Sequence, residues 1–201
     1  QDLVKINRAC RAQDSESHSL AQNTEIRAII NHVKSTGCAL HVMGLFSDGG
    51  VHSSLEHLEA LLALAKREGI EKCYVHAFMD GRDTDPKSGL GFVRQVEEKM
   101  NSGALAGTVA SLVGRYYAMD RDKRWERVRE AYDLLVKGKG TAYTNAEDAV
   151  ATSYDEGVTD EFMKPHVRVD VQGRPVGRIQ SGDAVIFINF RNDRAKELTT
   201  V

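Results

Sequence analysis

Four short apolar segments, each bounded by Gly, Asp or Ser, constrain the fold more than any other feature of the sequence. They span residues 39–46, 73–79, 107–113 and 184–190, and they are rich in aliphatic and β-branched side chains, which is typical of buried strands. The first three are followed by segments with a helical repeat, and the fourth by the start of one. Strands that alternate with helices predict an α/β fold, with a mainly parallel sheet and helices on both faces.

The intervals between these segments have the apolar spacing of helices. Ser53 and Glu56 have the spacing of a capping box, which predicts a helix that begins at Ser53. A further helix precedes the first strand, beginning at Asn23 or Thr24 and ending at Gly37. Apolar residues lie on one face of the three helices that follow strands, at Leu55, Leu58, Leu62 and Ala65, at Leu90, Val93, Val96 and Met100, and at Trp125, Val128, Tyr132 and Leu135.

The interval from residue 138 to residue 182 is less regular. Residues 145–154 have the pattern of a short helix, and residues 167–179 contain Gln172-Gly173, which predicts a small hairpin.

Composition excludes several classes of protein. The 201 residues suffice for one core, and the formal net charge of -2 gives no basic field for nucleic acid or a membrane surface. No apolar run reaches the roughly 20 residues that span a bilayer. Cys10, Cys38 and Cys73 have no paired spacing, so neither a disulfide framework nor a thiolate metal site is expected. We expect a cytoplasmic protein.

The first residues lack an initiator Met and the apolar core of a signal peptide. We therefore interpret the chain as the middle of a longer protein.

A polar cluster follows each predicted strand. The clusters are residues 47–53, 80–84, 114–121 and 191–194. Because ligands of open parallel sheets bind outside the carboxyl ends of the strands, we expect the four clusters to surround one pocket. They contain five arginines, Arg82, Arg115, Arg121, Arg191 and Arg194.

Five guanidinium groups in one pocket indicate an anionic ligand. Guanidinium matches phosphate and carboxylate oxygens in bidentate geometry and stays charged at physiological pH. A phosphorylated hydroxy acid, with a phosphate and a carboxylate on a small carbon skeleton, would relieve the mutual repulsion. The alternative is that each arginine forms a local ion pair with Asp80, Asp83, Asp120 or Asp193. Any single arginine favours that alternative, whereas the set of five favours the pocket.

The histidines give no metal-ligand spacing, so no metal site is expected in the chain. His52 precedes a predicted helix N-terminus beside the arginine clusters, and we interpret it as functional. His76 lies within a strand and is interpreted as a core histidine. His57 lies between Glu56 and Glu59 and is interpreted as a surface residue.

Four long motifs resemble those of the cofactor-independent phosphoglycerate mutases. They are residues 43–53, 76–84, 114–122 and 188–195, and they occur in the order that the family has. The first residues of the chain also resemble the segment that leads into this domain of the family. The resemblance extends along the whole chain.

The resemblance implies one half of an enzyme whose plan is similar to alkaline phosphatase. Two divalent metals, usually manganese, and a serine that becomes phosphorylated would lie on the other, phosphatase-like domain. The domain similar to this chain would bind phosphoglycerate while 3-phosphoglycerate and 2-phosphoglycerate interconvert. Residues 1–22 would then be an inter-domain lead-in, residues 23–194 the phosphotransferase domain, and residues 195–201 the start of a helix returning to the missing domain.

The resemblance also implies roles for the arginines. Arg191 and Arg194 would grip the phosphate, and Arg82, Arg115 and Arg121 would contact the carboxylate and the rest of the ligand.

Asp83 would act as general base or acid toward the glycerate hydroxyl, and His52 would donate a hydrogen bond or a proton nearby. The sequence contains neither a serine motif before Gln1 nor a cluster of Asp and His for two metals after Arg194. We therefore predict that the chain alone cannot isomerise phosphoglycerate.

Three alternatives are weighed against this interpretation. The chain could be a module that binds small phosphorylated anions without chemistry, or the equivalent domain of a related sugar-phosphate mutase such as a phosphopentomutase. The motifs at residues 80–84 and 114–121 argue against the latter. The third alternative is a plain α/β scaffold whose arginines all pair with local carboxylates.

Overall fold

A computed structural model describes residues 2–201, without the side chain of Asp2, as a six-stranded sheet with helices on both faces. The strands are β1 (Leu40–Leu45), β2 (Cys73–Met79), β3 (Thr108–Gly114), β4 (Thr141–Tyr143), β5 (His166–Arg168) and β6 (Ala184–Phe187). Their order across the sheet is β4-β5-β3-β2-β1-β6. Strands β3, β2, β1 and β6 are mutually parallel, which confirms the predicted mainly parallel α/β fold.

The helices occupy the predicted intervals and add an N-terminal one. They are α1 (Asp2–Arg11), α2 (Thr24–Thr36), α3 (Leu55–Arg67), α4 (Gly89–Asn101), α5 (Arg115–Ala118), α6 (Trp125–Lys137), α7 (Ala146–Asp155) and α8 (Lys196–Thr200). Two single 3-10 turns, Leu20–Gln22 and Asp160–Phe162, complete the set for the described residues.

Local side-chain chemistry sets the start of three helices, α2, α3 and α7. The side chain of Asn23 accepts hydrogen bonds from the backbone N–H groups of Glu25 and Ile26 at the start of α2. Gly37 ends that helix at φ 68°, where a side chain would be strained. The predicted start of α3 is wrong by one residue, because Ser54 is its cap. The hydroxyl of Ser53 instead donates to the carbonyl of Leu45.

Two apolar cores sandwich the sheet. On one face Val42, Ala77 and other strand residues pack against α2, α3, α4 and α7, and Leu62 of α3 is fully buried. On the opposite face Leu45 and Phe78 pack against α6 and α8. Truncating a leucine as buried as Leu62 typically costs about 2–5 kcal/mol of unfolding free energy, which is why these stripes fix the register of the helices.

The interval 138–182 departs most from prediction. Two three-residue strands, β4 and β5, extend the sheet, and β5 runs antiparallel to β3. The predicted hairpin is present in reduced form, as one antiparallel bridge between Val169 and Pro175. Backbone hydrogen bonds of 2.9 Å flank it, from Asp170 to Arg174 and from Val176 to Arg168. The turn between Val169 and Pro175 is held by Asp170, whose side chain accepts hydrogen bonds from the backbone N–H groups of Gln172 and Arg174.

Helix α1 lies in the predicted lead-in and packs on α3. Nε2 of His57 is 2.6 Å from Oδ1 of Asn7, and Arg11 forms an ion pair with Glu56. The prediction that His57 is a surface residue is therefore wrong, since α1 covers it and leaves it only 4% exposed.

None of the helices between residues 2 and 201 is long and apolar enough to cross a bilayer.

Candidate anion site

The polar segments that follow β1, β2, β3 and β6 meet at the carboxyl edge of the sheet because those strands are parallel. A cavity of about 200 Å³ opens there. Of the five predicted arginines, four line it, and Arg191 lies beside it in contact with Asp193. The lining residues are Arg82, Arg115, Tyr116, Asp120, Arg121, Asp122, Arg124, Arg127, Glu161 and Arg194.

Arg115 lies in the floor of this site. It is 3% exposed, and its Nη1 atom donates to Asp80 and to Asp83, both at 2.7 Å. Its Nε atom is buried and has no hydrogen-bond partner among the described residues. Arg115 therefore fixes the carboxylate of Asp83 and keeps further donors for a ligand.

Asp80 organises the loop that carries Arg82 and Asp83. Its carboxylate accepts hydrogen bonds from the hydroxyl of Ser47 at 2.6 Å and from the backbone N–H groups of Arg82 and Asp83 at 3.1 and 3.0 Å. Burial opposes ionisation of Asp80, but the hydrogen bonds from Ser47, Asp83 and Arg115 outweigh it and lower the pKa of the carboxyl. The loop is thus built around a buried carboxylate.

The 3-10 turn Asp160–Phe162 packs under the same loop. Asp160 is fully buried, and its carboxylate accepts hydrogen bonds from the hydroxyl of Tyr154 and from the N–H of Gly89 at 2.8 Å. A side chain at Gly81 would meet the backbone N of Glu161 at 2.8 Å, and its φ of 67° is also one that favours glycine. Burial raises the pKa of Asp160 to about 6, in spite of these hydrogen bonds.

Asp193 is the shared partner of three cationic or polar groups. Its Oδ2 atom lies 3.2 Å from Nη1 of Arg121 and 3.4 Å from Nη2 of Arg191. Its Oδ1 atom lies 3.8 Å from Nδ1 of His52. Burial opposes ionisation of Asp193, but the charges of Arg191, His52 and Arg121 together lower the pKa of its carboxyl.

Arg194 differs from the other arginines of the site. It donates to the carbonyl of Met119 at 3.0 Å, and no carboxylate in the described part of the chain lies within 4.0 Å of its guanidinium. Partial burial lowers the pKa of Arg194, and the positive charges of Arg121, Arg115 and Arg82 lower it further. An anion would remove this unfavourable interaction.

His52 lies in the loop between β1 and α3, next to Asp193, and is not among the residues that line the cavity. It is 4% exposed, and its backbone carbonyl accepts a hydrogen bond from the N–H of Phe190 at 2.8 Å. Burial lowers the pKa of His52, and the charges of Arg115 and Arg191 lower it further, so the imidazole is neutral at pH 7.

Sequence reasoning missed several residues that line the cavity. Arg127 stacks its guanidinium 3.8 Å above the ring of Tyr116. Arg124 pairs with Asp122 at 2.7 Å, and Glu161 lies 3.7 Å from Arg82. Arg124 and Arg127 follow the third polar cluster by three and six residues, a signal that could have been followed. Glu161 gave no such signal, because an irregular segment brings it to the site.

The described residues contain no group of three or more His, Cys, Asp or Glu side chains arranged to bind a metal ion. His76 is a core histidine, as predicted, with Nδ1 2.7 Å from the hydroxyl of Ser111 and Nε2 2.9 Å from Nδ1 of His41. Nε2 of His41 is 3.1 Å from the carboxylate of Asp183. These residues lie in a buried hydrogen-bonded row, away from the cavity.

Comparison with known proteins gives a consistent result. The family described as "BPG-independent PGAM N-terminus" matches residues 12–201. The chain is 58% identical over 201 residues to a 2,3-bisphosphoglycerate-independent phosphoglycerate mutase of Parabacteroides distasonis and 55% identical over 199 residues to one of Myxococcus xanthus. These alignments cover 100% and 99% of this chain and 38% of each relative.

A solved structure agrees in fold. Leishmania mexicana phosphoglycerate mutase, crystallised at low cobalt concentration, superposes with a TM-score of 0.89 at 32% sequence identity. The match covers 99% of this chain and 37% of the Leishmania chain. The chain thus spans just over a third of the length of the proteins to which it is similar.

Proposed function

The chain belongs to the 2,3-bisphosphoglycerate-independent phosphoglycerate mutase family, whose N-terminal region it matches, and we propose that it is the part of such an isomerase that binds phosphoglycerate. The complete enzyme would interconvert 3-phosphoglycerate and 2-phosphoglycerate, a step of glycolysis and gluconeogenesis. The cavity at the carboxyl edge of the sheet would receive the substrate.

The charge balance of the site carries this proposal. Four of the five predicted arginines have a carboxylate within 4.0 Å, as the plain-scaffold alternative expects, and Arg194 has none among the described residues. Asp193 is moreover shared by two arginines. The five guanidinium groups face four carboxylates, those of Asp80, Asp83, Asp193 and Glu161. The cavity is also lined by Arg124, Arg127, Asp120 and Asp122, so the site holds seven guanidinium groups and six carboxylates. A ligand with a phosphate and a carboxylate supplies the missing negative charge.

We assign the side chains of this site the following roles. Arg191 and Arg194 bind the phosphate, and Arg82 and Arg121 contact the carboxylate and the rest of the ligand. Arg115 contributes its remaining donors from the floor of the site. In this arrangement the glycerate is held by charge at both ends, so its hydroxyls are presented in fixed positions.

Asp83 is proposed as the general base or acid. Arg115 fixes its Oδ2 atom at 2.7 Å, and the side chain keeps 20% exposure toward solvent. When a glycerate hydroxyl attacks the phosphoryl group of the phosphorylated serine, its proton would pass to the Asp83 carboxylate. The new O–P bond forms as the bond from phosphorus to the serine oxygen breaks, and the reverse transfer returns the proton. His52, buried beside Asp193, contacts the hydroxyl from the other side.

The rest of the chemistry is proposed to lie outside this chain. Two divalent metal ions, manganese by resemblance, and the serine that becomes phosphorylated would belong to a phosphatase-like domain. The metal ions would stabilise charge on the transferring phosphoryl group. We therefore expect the 201-residue chain alone to show no mutase turnover. Its three cysteines are free thiols, which supports a cytoplasmic location.

Calorimetric titration of the chain tests the proposal. We expect saturable binding of 3-phosphoglycerate and at least about tenfold weaker binding of glycerol 3-phosphate, which lacks the carboxylate. Arg194→Ala should weaken 3-phosphoglycerate binding at least about tenfold, and Arg174→Ala, on a remote turn, should leave it unchanged. A folded chain that binds neither compound would contradict the proposal.

In one alternative function, the site binds an anion and takes no part in catalysis. A module that only binds small phosphorylated anions would also pass the titration. Adding the separately produced phosphatase-like domain with manganese separates the two, because only a mutase half restores conversion of 3-phosphoglycerate to 2-phosphoglycerate. A loss of that conversion in Asp83→Asn, with binding retained, would support the assigned role of Asp83.

A further inference from the structure

Two buried atoms face each other beside the arginine cavity without forming a hydrogen bond. Nδ1 of His52 lies 3.8 Å from Oδ1 of Asp193, and both atoms are shielded from water and lack hydrogen-bond partners within residues 2–201. An N–H···O hydrogen bond needs a separation of about 3 Å. Because a buried polar atom without a partner is costly, a small movement that closes this gap is favourable.

The other oxygen of Asp193 is occupied by weak contacts. Oδ2 is 3.2 Å from Arg121 and 3.4 Å from Arg191, and the two arginine side chains are 49% and 50% exposed. By contrast, Arg115 is buried and contacts its carboxylates at 2.7 Å. Exposed and long ion pairs contribute little free energy, so an incoming phosphate or carboxylate competes with Asp193 for both guanidinium groups.

A backbone hydrogen bond already connects the segments that carry His52 and Asp193. The N–H of Phe190 donates to the carbonyl of His52 at 2.8 Å, so the segment that carries Asp193 is fixed to the loop that carries His52. A change in the side-chain torsions of Asp193 can therefore bring Oδ1 onto Nδ1, with no change in the fold.

The charges around His52 keep its imidazole neutral, so the ring nitrogen that carries the proton decides which hydrogen bonds His52 can form. Burial lowers the pKa of His52, the charges of Arg115 and Arg191 lower it further, and Asp193 and Asp83 raise it only in part. A neutral imidazole carries one proton, on either Nδ1 or Nε2, and the hydrogen bond made by one nitrogen decides the role of the other.

We propose that Asp193 is a positioning residue that exchanges partners when an anion binds. Arg121 and Arg191 turn from Asp193 to the oxygens of the anion, and the carboxylate of Asp193 accepts a hydrogen bond from Nδ1–H of His52. The imidazole then presents the lone pair of Nε2 to a hydroxyl of the ligand. This inference rests on the proposed function, since it takes phosphoglycerate as the ligand.

The test uses the 201-residue chain with ¹⁵N-labelled histidine rings and reads the protonation of each ring nitrogen by NMR. His52→Asn identifies the resonances of His52 by their loss. With 3-phosphoglycerate bound, we expect Nδ1 of His52 to be protonated and Nε2 not. Asp193→Ala should reduce this preference by about tenfold or more, the effect of losing a hydrogen bond to a charged group. Asp14→Ala, which breaks a remote pair with Arg67, is the matched control.

A second variant tests the other half of the exchange. Asp193→Asn keeps the shape of the side chain and removes its charge, so Arg121 and Arg191 are freer to bind an anion. Inorganic phosphate should then bind about twofold to fivefold more tightly than to the unmodified chain. Equal or weaker phosphate binding by a folded variant would contradict the claim that Asp193 competes for these arginines.

The outcomes separate the inference from the function on which it rests. If 3-phosphoglycerate binds but the His52 tautomer is the same in Asp193→Ala, the exchange is wrong and the proposed function stands. If only inorganic phosphate binds, the proposed function is wrong. The exchange is then tested by the same NMR measurement of His52 with phosphate bound. If neither compound binds, both are wrong.

Discussion

Two buried polar networks lie on the same sheet, and they differ in how completely they are hydrogen-bonded. The row of Ser111, His76, His41 and Asp183 crosses β3, β2 and β1, and each neighbouring pair is 2.7–3.1 Å apart. At the carboxyl edge, by contrast, Nδ1 of His52, Nε of Arg115 and Oδ1 of Asp193 are buried without partners among the described residues.

The difference indicates where a ligand is needed. Folded proteins pair nearly all of their buried polar groups, so a cluster of unpaired ones requires an explanation. A complete row of hydrogen bonds stabilises the fold and offers nothing to a ligand. Incomplete bonding beside an arginine without a carboxylate offers both donors and charge. Substitutions in one network should therefore have different consequences from substitutions in the other.

The largest effect is expected from Arg115→Ala. This change leaves Asp80 buried without its charged partner and also removes the group that fixes Asp83. Breaking one side of a buried ion pair typically costs about 3–5 kcal/mol of unfolding free energy. Urea unfolding measures the loss, and Arg174→Ala is the control. A loss below 1 kcal/mol, on the order of a surface pair, would contradict the buried role of Arg115.

Breaking the complete row should affect stability alone. His41→Leu leaves Nε2 of His76 without a hydrogen-bond partner, while Asp183 keeps the backbone N–H groups of Ala39 and Gln180. The expected loss is about 1–3 kcal/mol of unfolding free energy. Binding of 3-phosphoglycerate should remain within about twofold of the unmodified chain, because the row is separate from the cavity. If His41→Leu weakened binding about tenfold while the chain stayed folded, the two networks would be coupled and the comparison would not hold.

Arg194→Ala should show the opposite pattern. Its positive charge is opposed by Arg121, Arg115 and Arg82, so its removal should leave the unfolding free energy unchanged or slightly higher. Affinity for 3-phosphoglycerate should fall at least about tenfold, as expected for one charge-assisted contact. Parallel titration and urea unfolding of the same preparation give both values. A large loss of stability with unchanged affinity would make Arg194 a structural residue.

The smallest effects concern pH. The pKa of His76 is lowered to about 3 by burial, so the unfolded chain binds more protons between pH 6.5 and pH 3, and stability falls as the pH falls through that range. Asp160 acts in the opposite direction. Its pKa is raised to about 6, so the protonated form favours the folded state, and this contribution is lost as the pH rises through 6.

Thermal unfolding between pH 7 and pH 4.5 separates these two contributions. The melting temperature of His76→Asn should fall less on acidification than that of the unmodified chain. The melting temperature of Asp160→Asn should fall more, because the variant lacks the group that favours folding in acid. Identical slopes in all three proteins would contradict both assignments.

The sequence predicted the parts of this molecule in which apolar residues recur at a regular spacing. The four parallel strands and the apolar faces of α3 and α4 follow from burial on a fixed period, and the order of the polar clusters follows from the direction of the strands. On α6 the prediction is wrong for Trp125, which is 45% exposed. Strands of three residues, such as β4 and β5, are too short to show a period. His57 was misjudged because its neighbours along the chain are acidic, whereas its burial comes from α1, which is distant in sequence.

The candidate site was predicted only in outline. Parallel strands bring the arginines to one edge, but the partner of each depends on side-chain directions that the sequence does not contain. Arg115 proved to be buried between Asp80 and Asp83. Asp160 and Glu161 belong to an irregular segment 76 to 81 residues downstream of the loop they support. Nδ1 of His52 and Oδ1 of Asp193 are about 1 Å too far apart for a hydrogen bond, a difference that only the structure can show.

Backbone amide chemical-shift mapping of the chain during titration with 3-phosphoglycerate tests the central claim most directly. We predict saturable changes in the four segments at the carboxyl edge, residues 47–53, 80–84, 114–121 and 191–194, and none at His41, His76 or Asp183. Changes centred on that buried row, or no changes in a folded chain at millimolar 3-phosphoglycerate, would contradict the account.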